Sequence, residues 1–421
     1  MLVTEGIFIN KSIREADFLQ LAKALWIASQ SDSLATAFWR LPYQNCIHFI
    51  SDFSKENEVN NFDIENFGEG FVCHPFLEDE ENKKSFFIKS DLHLKWESGK
   101  LSDFDIEKIE NLEGDYFKNL LFNLENKIVN EETSSILSNI NDTNVFSEEE
   151  KLNFINLVEN GINAINEGQF QKVVLSRQKK IYFPSEFNPL KAFQQLCDAY
   201  PHAFISLVYL PNQGTWLGAS PEILVSVDKN EIFRTVALAG TQAYNKDISS
   251  NHARWSMKEI EEQALVSRYI VNCFKKIRVR EYIETGPKTV VAGNLMHLRT
   301  DFSIDTKAFN FNQLPSIMLS LLHPTSAVCG VPKESALEFI KNNEIHGRDL
   351  YSGYLGPVNI DVETHLFVNL RCIKLEEVFD NDKITKTGIL FAGAGVTAQS
   401  DPEREWIETE LKYQTILNII L

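Results

Sequence analysis

From Gln171 onward the chain is a series of short runs of Val, Ile, Leu and aromatic residues, broken by only a few long amphipathic stretches. Lys172-Val173-Val174-Leu175-Ser176-Arg177 is strand-like, and residues 203–209 and 215–219 flank Pro211-Asn212-Gln213-Gly214 in a pattern that suits a hairpin. Further strands are expected at 223–227, 366–374 and 387–392. Asn188 suits an N-cap with Pro189 in the first turn of a helix reaching about residue 200. Another helix should run from Ser256 to about Lys276, and a third should close the chain. Strands in runs, separated by a few long helices, predict a mixed α+β sheet protein. Upstream, 35–41, 46–50 and 85–88 read as strands. Residues 126–150, rich in Asn, Glu and Ser, read as a connector with a short helix. Residues 148–167 carry Leu152, Ile155, Leu157, Ile162 and Ile165 at helical spacing.

The last helix is the most informative chemically. Gly393-Ala394-Gly395 reads as a glycine-rich turn, Ser400 with Glu403 as a capping box, and Pro402 as a first-turn residue. Glu405, Glu408 and Lys412 then share one helix face. Glu259 and Glu262, far upstream, are also spaced i and i+3. Magnesium takes oxygen ligands and keeps several waters, so one carboxylate from each of two helices would suit it. Either pair alone is more often a solvated face, and Glu259 also fits as the capping partner of Ser256.

A formal charge of −18, from 41 basic and 59 acidic residues, argues against nucleic acid and anionic membranes as partners. An anionic substrate would then need a local positive site from Lys, Arg or a bound cation. The six cysteines make no C-x-x-C pair or zinc spacing, which fits free thiols in a reducing compartment. The first residues lack a signal-peptide pattern, and no stretch reaches about 18 apolar residues, so a cytoplasmic protein is expected. No exposed heptad or large apolar face stands out, which favours a monomer.

Gly393-Ala394-Gly395 is not a dinucleotide fingerprint, because no helix opens inside the glycines and no acidic residue follows on a later strand. Glycine there would let backbone N–H groups meet a carboxylate. Glu222, after Gly218-Ala219-Ser220-Pro221, is either a plain turn residue or an acid, and Lys172 is either an edge lysine or a base. Together they would make a base and an acid on opposite sides of a substrate. His297 reads first as a core histidine. Arg371 interrupts an apolar strand and needs a partner such as a carboxylate.

Taken in order, Lys172 to Arg177, Gly218 to Glu222, Leu238-Ala239-Gly240-Thr241, Lys258-Glu259 through Glu262, Leu322-His323-Pro324-Thr325 to Gly330, Leu350-Tyr351-Ser352-Gly353, Arg371, Gly393 to Gly395 and Glu405 through Lys412 resemble the chorismate-utilising enzymes, within them the isochorismate synthases. The match covers roughly residues 150–415, while 1–125 agree only in general character. The resemblance implies a single domain over 1–421, with 1–125 a divergent N-terminal half and two large orthogonally packed antiparallel or mixed sheets flanked by helices. It implies Mg2+ on Glu262 and Glu408, with Glu259 and Glu405 nearby or acting through water. Gly240, Thr241 and Lys412 would meet the ring carboxylate of chorismate. Tyr351, Arg371 and the backbone at Gly393 would hold the enolpyruvyl carboxylate, and His297 would line the ring. Lys172 would be the base and Glu222 the acid of an isomerase making isochorismate, a precursor of menaquinones or siderophores. Ammonia-using relatives carry Gln in place of Lys172; salicylate synthases keep the Lys but carry Thr in place of Ala327. Gln263 stands where many relatives have His. A salicylate synthase is the nearest enzyme alternative, and a non-catalytic acidic metal-binding protein the alternative of another class.

Overall fold

The computed structural model describes residues 13, 16–77, 84–112, 114–125, 148–184, 186–244, 253–292, 295–380 and 383–421. The expectations for the N-terminal leader and for connector residues 126–147 lie outside the described residues. Eight strands and two helices carry the site: β1 (Lys172–Tyr182), β2 (Gly214–Ser220), β3 (Ile223–Val227), β4 (Ile232–Ala243), α1 (Met257–Lys276), β5 (Leu295–Asp305), β6 (Thr364–Val368), β7 (Cys372–Asp380), β8 (Lys383–Val396) and α2 (Pro402–Ile420).

The strands form a ten-stranded and a nine-stranded sheet, and the pairings among the described residues are antiparallel throughout. β1, β2, β7 and β8 belong to the first sheet, and β3, β4, β5 and β6 to the second. The first hundred residues feed both sheets: Thr36–Arg40 and Cys46–Ser51 enter the first, Gly70–His74 and Lys84–Lys89 the second.

Both sheets are covered on both faces, which is why the strands read as near-continuous apolar runs. Along Phe204–Leu210, Phe204, Val208 and Leu210 enter the core between the sheets, while Ile205 and Leu207 enter a core under helices. Between the sheets Phe204 stacks on Phe367 with ring centroids 4.1 Å apart. Helix Phe18–Ser31 and α2 cover the outer face of the ten-stranded sheet; α1 and Leu314–Leu322 cover that of the nine-stranded sheet. Val173 and Leu175 of β1 and Ala394 and Val396 of β8 pack in the core of the second sheet, so the site lies where the sheets meet.

Local expectations hold at several points. Asn188 Oδ1 accepts from Leu190 N at 2.9 Å, and Ser256 N donates to Glu259 Oε2 at 2.8 Å at the start of α1. The hairpin around 211–214 forms. Three expectations are corrected. Residues 366–374 are not one strand: β6 lies in one sheet and β7 in the other, with Arg371 at φ 48° in the gap. Both strands are buried, so the apolar run conceals the change of sheet. Gly393 to Val396 is not a turn but the end of β8, with Gly393 opposite Ser176 and Val396 opposite Val173. Its glycines mark close approach rather than a bend. The cap of α2 is Asp401, whose Oδ1 accepts from Arg404 N at 2.9 Å; Ser400 Oγ instead accepts from Thr397 N at 3.1 Å.

Candidate active site

A cleft partly open to solvent lies among β1, β4, β5, β8, α1 and α2. Glu222, Gly240, Thr241, Glu262, His297, Ala327, Tyr351, Arg371, Gly393, Glu408 and Lys412 all line it. Lys172 stands directly behind Gly395: a Cβ at Gly395 would lie 3.2 Å from Lys172 Cε and 2.5 Å from Glu262 Oε1. The bare backbone of β8 is what gives these two side chains room.

Lys172 is fully buried, not an edge lysine, and its Nζ lies 2.9 Å from Glu262 Oε1. The contact is an ion pair outside hydrogen-bond alignment. Glu222 sits in the link from β2 to β3, where the chain passes between the sheets, and its carbonyl accepts from Val368 N at 3.0 Å. Burial pushes its carboxyl up to about 8, against the opposing pull of Lys172, Arg371 and Lys412. Near neutral pH this side chain holds a proton it can donate.

The Arg371 guanidinium makes no hydrogen bond or ion pair among the described residues, although the charged or phenolic groups of Tyr351, Glu408, Glu222 and Tyr200 act on it. It is thus an available bidentate donor for a carboxylate. Burial pushes the Tyr351 phenol up to about 12, so its hydroxyl also remains a donor. Gly240 is the extra residue of a β-bulge in β4, at φ 72°, and a Cβ there would crowd Glu259 at 3.0 Å. The bulge turns Thr241 toward His297, whose Nδ1 lies 3.3 Å from Thr241 Oγ1 and 3.2 Å from Gly240 O. Burial, with Arg371 and Lys412, pulls His297 down to about 3, so the ring is neutral. With Nδ1–H donating to Gly240 O, the buried Nε2 is an acceptor without a partner among the described residues.

Four carboxylates approach from the two helices. Glu262 on α1 and Glu408 on α2 line the cleft; Glu259 and Glu405 do not. Glu259 is engaged by its own helix cap. Glu405, almost wholly buried, pairs with Lys258 at 2.5 Å, and Glu408 pairs with Lys412 at 2.7 Å. Burial pushes Glu262 up, but Lys172, Lys258 and Lys412 outweigh it and hold the carboxyl below the ordinary value. Among the described residues no three His, Cys, Asp or Glu side chains are drawn together as metal ligands. Two hard oxygen donors facing one cleft still fit an ion that retains its waters and borrows ligands from a substrate.

A buried clamp was not expected from the sequence. Arg348 donates to Val328 O and Val174 O, each at 2.8 Å, and pairs with Glu344 at 2.5 Å. Glu344 also accepts from Ser176 N at 2.7 Å, and Arg348 O accepts from Tyr351 N at 2.8 Å. This ties β1 to the turn that bears Tyr351. The i, i+4 spacing of Glu344 and Arg348 was its only trace in the sequence.

Residues 43–421 match the family described as chorismate binding enzyme. Isochorismate synthase EntC of Escherichia coli K12 is 31% identical over 256 residues, which span 60% of this chain and 62% of that protein. Isochorismate synthase DhbC of Bacillus subtilis is 28% identical over 62% of this chain and 66% of its own length. The aligned part thus spans less than two thirds of either relative. A solved structure described as a putative 2,3-dihydroxybenzoate-specific isochorismate synthase of Bacillus anthracis superposes with a TM-score of 0.68 at 22% identity, covering 95% of this chain and 99% of that one. MenF, the menaquinone-specific isochorismate synthase of Escherichia coli, superposes with a TM-score of 0.67 at 19% identity over 94% and 91%. At such identities the two structures speak for the fold, an α+β pair of large antiparallel sheets. The family match over most of the length, on top of the geometry of the cleft, establishes that the chain belongs to the chorismate binding enzymes.

Proposed function

We propose that the protein isomerises chorismate to isochorismate. The observation that carries this reading is a protonated carboxyl, Glu222, and an unpaired guanidinium, Arg371, lining one cleft, with the buried Lys172 close behind its Gly395 wall. Lys172, in its unprotonated form, takes a proton from the water that bonds to C2 of the substrate. Glu222 gives its proton to the 4-hydroxyl, which leaves as water while the ring double bonds shift. One water is consumed and one released, so the product is an isomer. Arg371 and Tyr351 bind the enolpyruvyl carboxylate, Gly240, Thr241 and Lys412 the ring carboxylate, and neutral His297 lines the ring. Mg2+, held by Glu262 and Glu408 with Glu259 and Glu405 around them, would neutralise substrate charge and orient the ring. The single-domain reading, with strands of the first hundred residues completing both sheets, is part of the same proposal. All six cysteines are free thiols, in keeping with a reducing compartment such as the cytoplasm; a monomer is part of the proposal. Among the described residues no helix is long and apolar enough to cross a membrane.

The test is chromatography of the products formed from chorismate with and without Mg2+. Isochorismate that appears only with Mg2+ is the expected result. Salicylate as the main product would mean that Ala327 does not restrain pyruvate elimination, and no turnover with no coupled binding of Mg2+ and chorismate would overturn the enzyme reading.

A further inference from the structure

We propose that Lys258 is a built-in counter-cation of this cleft: its ammonium holds the carboxylates together when no divalent ion is bound, and it swings out to solvent when one binds. The inference rests on the reading of Glu262 and Glu408 as Mg2+ ligands.

Three carboxylates near the cleft are each matched by one lysine: Glu262 by Lys172, Glu405 by Lys258 and Glu408 by Lys412. Two of these lysines are committed. The Lys172 side chain is 0% exposed and has no route out. Lys412 also donates to Gly393 O at 2.6 Å, which anchors it to β8. Lys258 is different. Its Nζ has Glu405 as its hydrogen-bond partner, and the charges of Glu408 and Glu262 also act on it. Its side chain is 27% exposed, which leaves a path to water.

The helix does not favour this position. Lys258 follows Met257, the first residue of α1, where the positive end of the helix dipole disfavours a cation. The carboxylates, not the helix, therefore keep it there. Glu405 supplies the reason: its side chain is 1% exposed, and a buried carboxylate without a counter-charge is costly. A divalent ion on Glu262 and Glu408 would bring positive charge beside this pair, and its repulsion of the ammonium would favour the exit of the lysine. Metal-free protein thus gains order from Lys258 and gives up metal affinity for it, because the apparent affinity scales with the fraction of molecules in which the lysine is out.

The test is calorimetric titration of Mg2+ into the whole chain, paired with thermal unfolding of each protein with and without Mg2+. Lys258→Gln should bind Mg2+ about tenfold more tightly, equal to about 1.4 kcal/mol. It should unfold at lower temperature without metal and recover with saturating Mg2+. Lys258→Arg, with a bulkier fork that grips carboxylates, should bind Mg2+ more weakly than the parent. Lys151→Gln breaks a neighbouring exposed pair with Glu403 and should change neither quantity. If Lys258→Gln binds Mg2+ no more tightly than the parent, or Lys258→Arg binds it more tightly, the counter-cation idea is wrong. If the parent and every variant fail to bind Mg2+, the Mg2+ reading itself fails instead.

Discussion

Glu222→Gln separates the proton on this side chain from everything else about it. Glutamate ordinarily titrates near 4.5, and burial brings Glu222 to about 8. Each pH unit of such a displacement is worth about 1.36 kcal/mol, so ionising Glu222 inside the fold costs on the order of 5 kcal/mol. The sign follows from proton counts. Above about pH 4.5 the unfolded chain has released this proton, while the folded chain keeps it until about pH 8. The folded state binds more protons in that window, so the contribution is fully present below the unfolded value and is lost as pH rises through the folded one. Glutamine mimics the protonated side chain and titrates nowhere. Urea unfolding of parent and variant at about pH 5 and about pH 8 should therefore move in favour of the variant by on the order of 3 kcal/mol across the interval. Isochorismate formation should meanwhile fall by about 10²–10⁴-fold, the usual worth of a positioned acid. Unfolding curves that stay parallel at both pH values would refute the protonated-Glu222 argument, whatever happened to turnover.

Lys172→Gln should remove water addition by a similar factor and lower stability by about 1–3 kcal/mol, since partly buried Glu262 loses its partner; full turnover in the variant would sink the assignment of the base. Arg371→Ala should raise KM for chorismate by about 10–100-fold, from lost charge-assisted bonds of about 1.5–3 kcal/mol, with the melting temperature little moved because the guanidinium makes no hydrogen bond or ion pair among the described residues. Gly395→Ala puts a methyl 2.5 Å from Glu262 Oε1, so kcat should drop about 100-fold while circular dichroism shows a folded protein only about 1–3 kcal/mol less stable.

Much of the local structure was legible in the residues. Asn188 before Pro189, Ser256 three residues before Glu259, and the apolar runs of the strands each specify their element through contacts a few residues apart. The i and i+3 spacing of Glu259 with Glu262 and of Glu405 with Glu408 put each pair on one helix face, and nothing more. Spacing alone did not say which member of each pair reaches the cleft; the family resemblance pointed to Glu262 and Glu408, and these line it, while their neighbours serve a cap and a lysine.

Within single elements, then, the sequence by itself determined the helices, the strands and the chemical types available. The tertiary structure alone decided that Lys172 is sealed from water, that Glu222 keeps a proton, that Arg371 marks a change of sheet, and that Gly393 and Gly395 are the floor of a cleft rather than a bend. The physical reason is range. Capping and periodicity act over one or two turns, whereas burial, Coulomb energy and steric clearance depend on whatever the rest of the chain brings alongside. Lys172 and Glu262 are ninety positions apart in the chain and 2.9 Å apart in space.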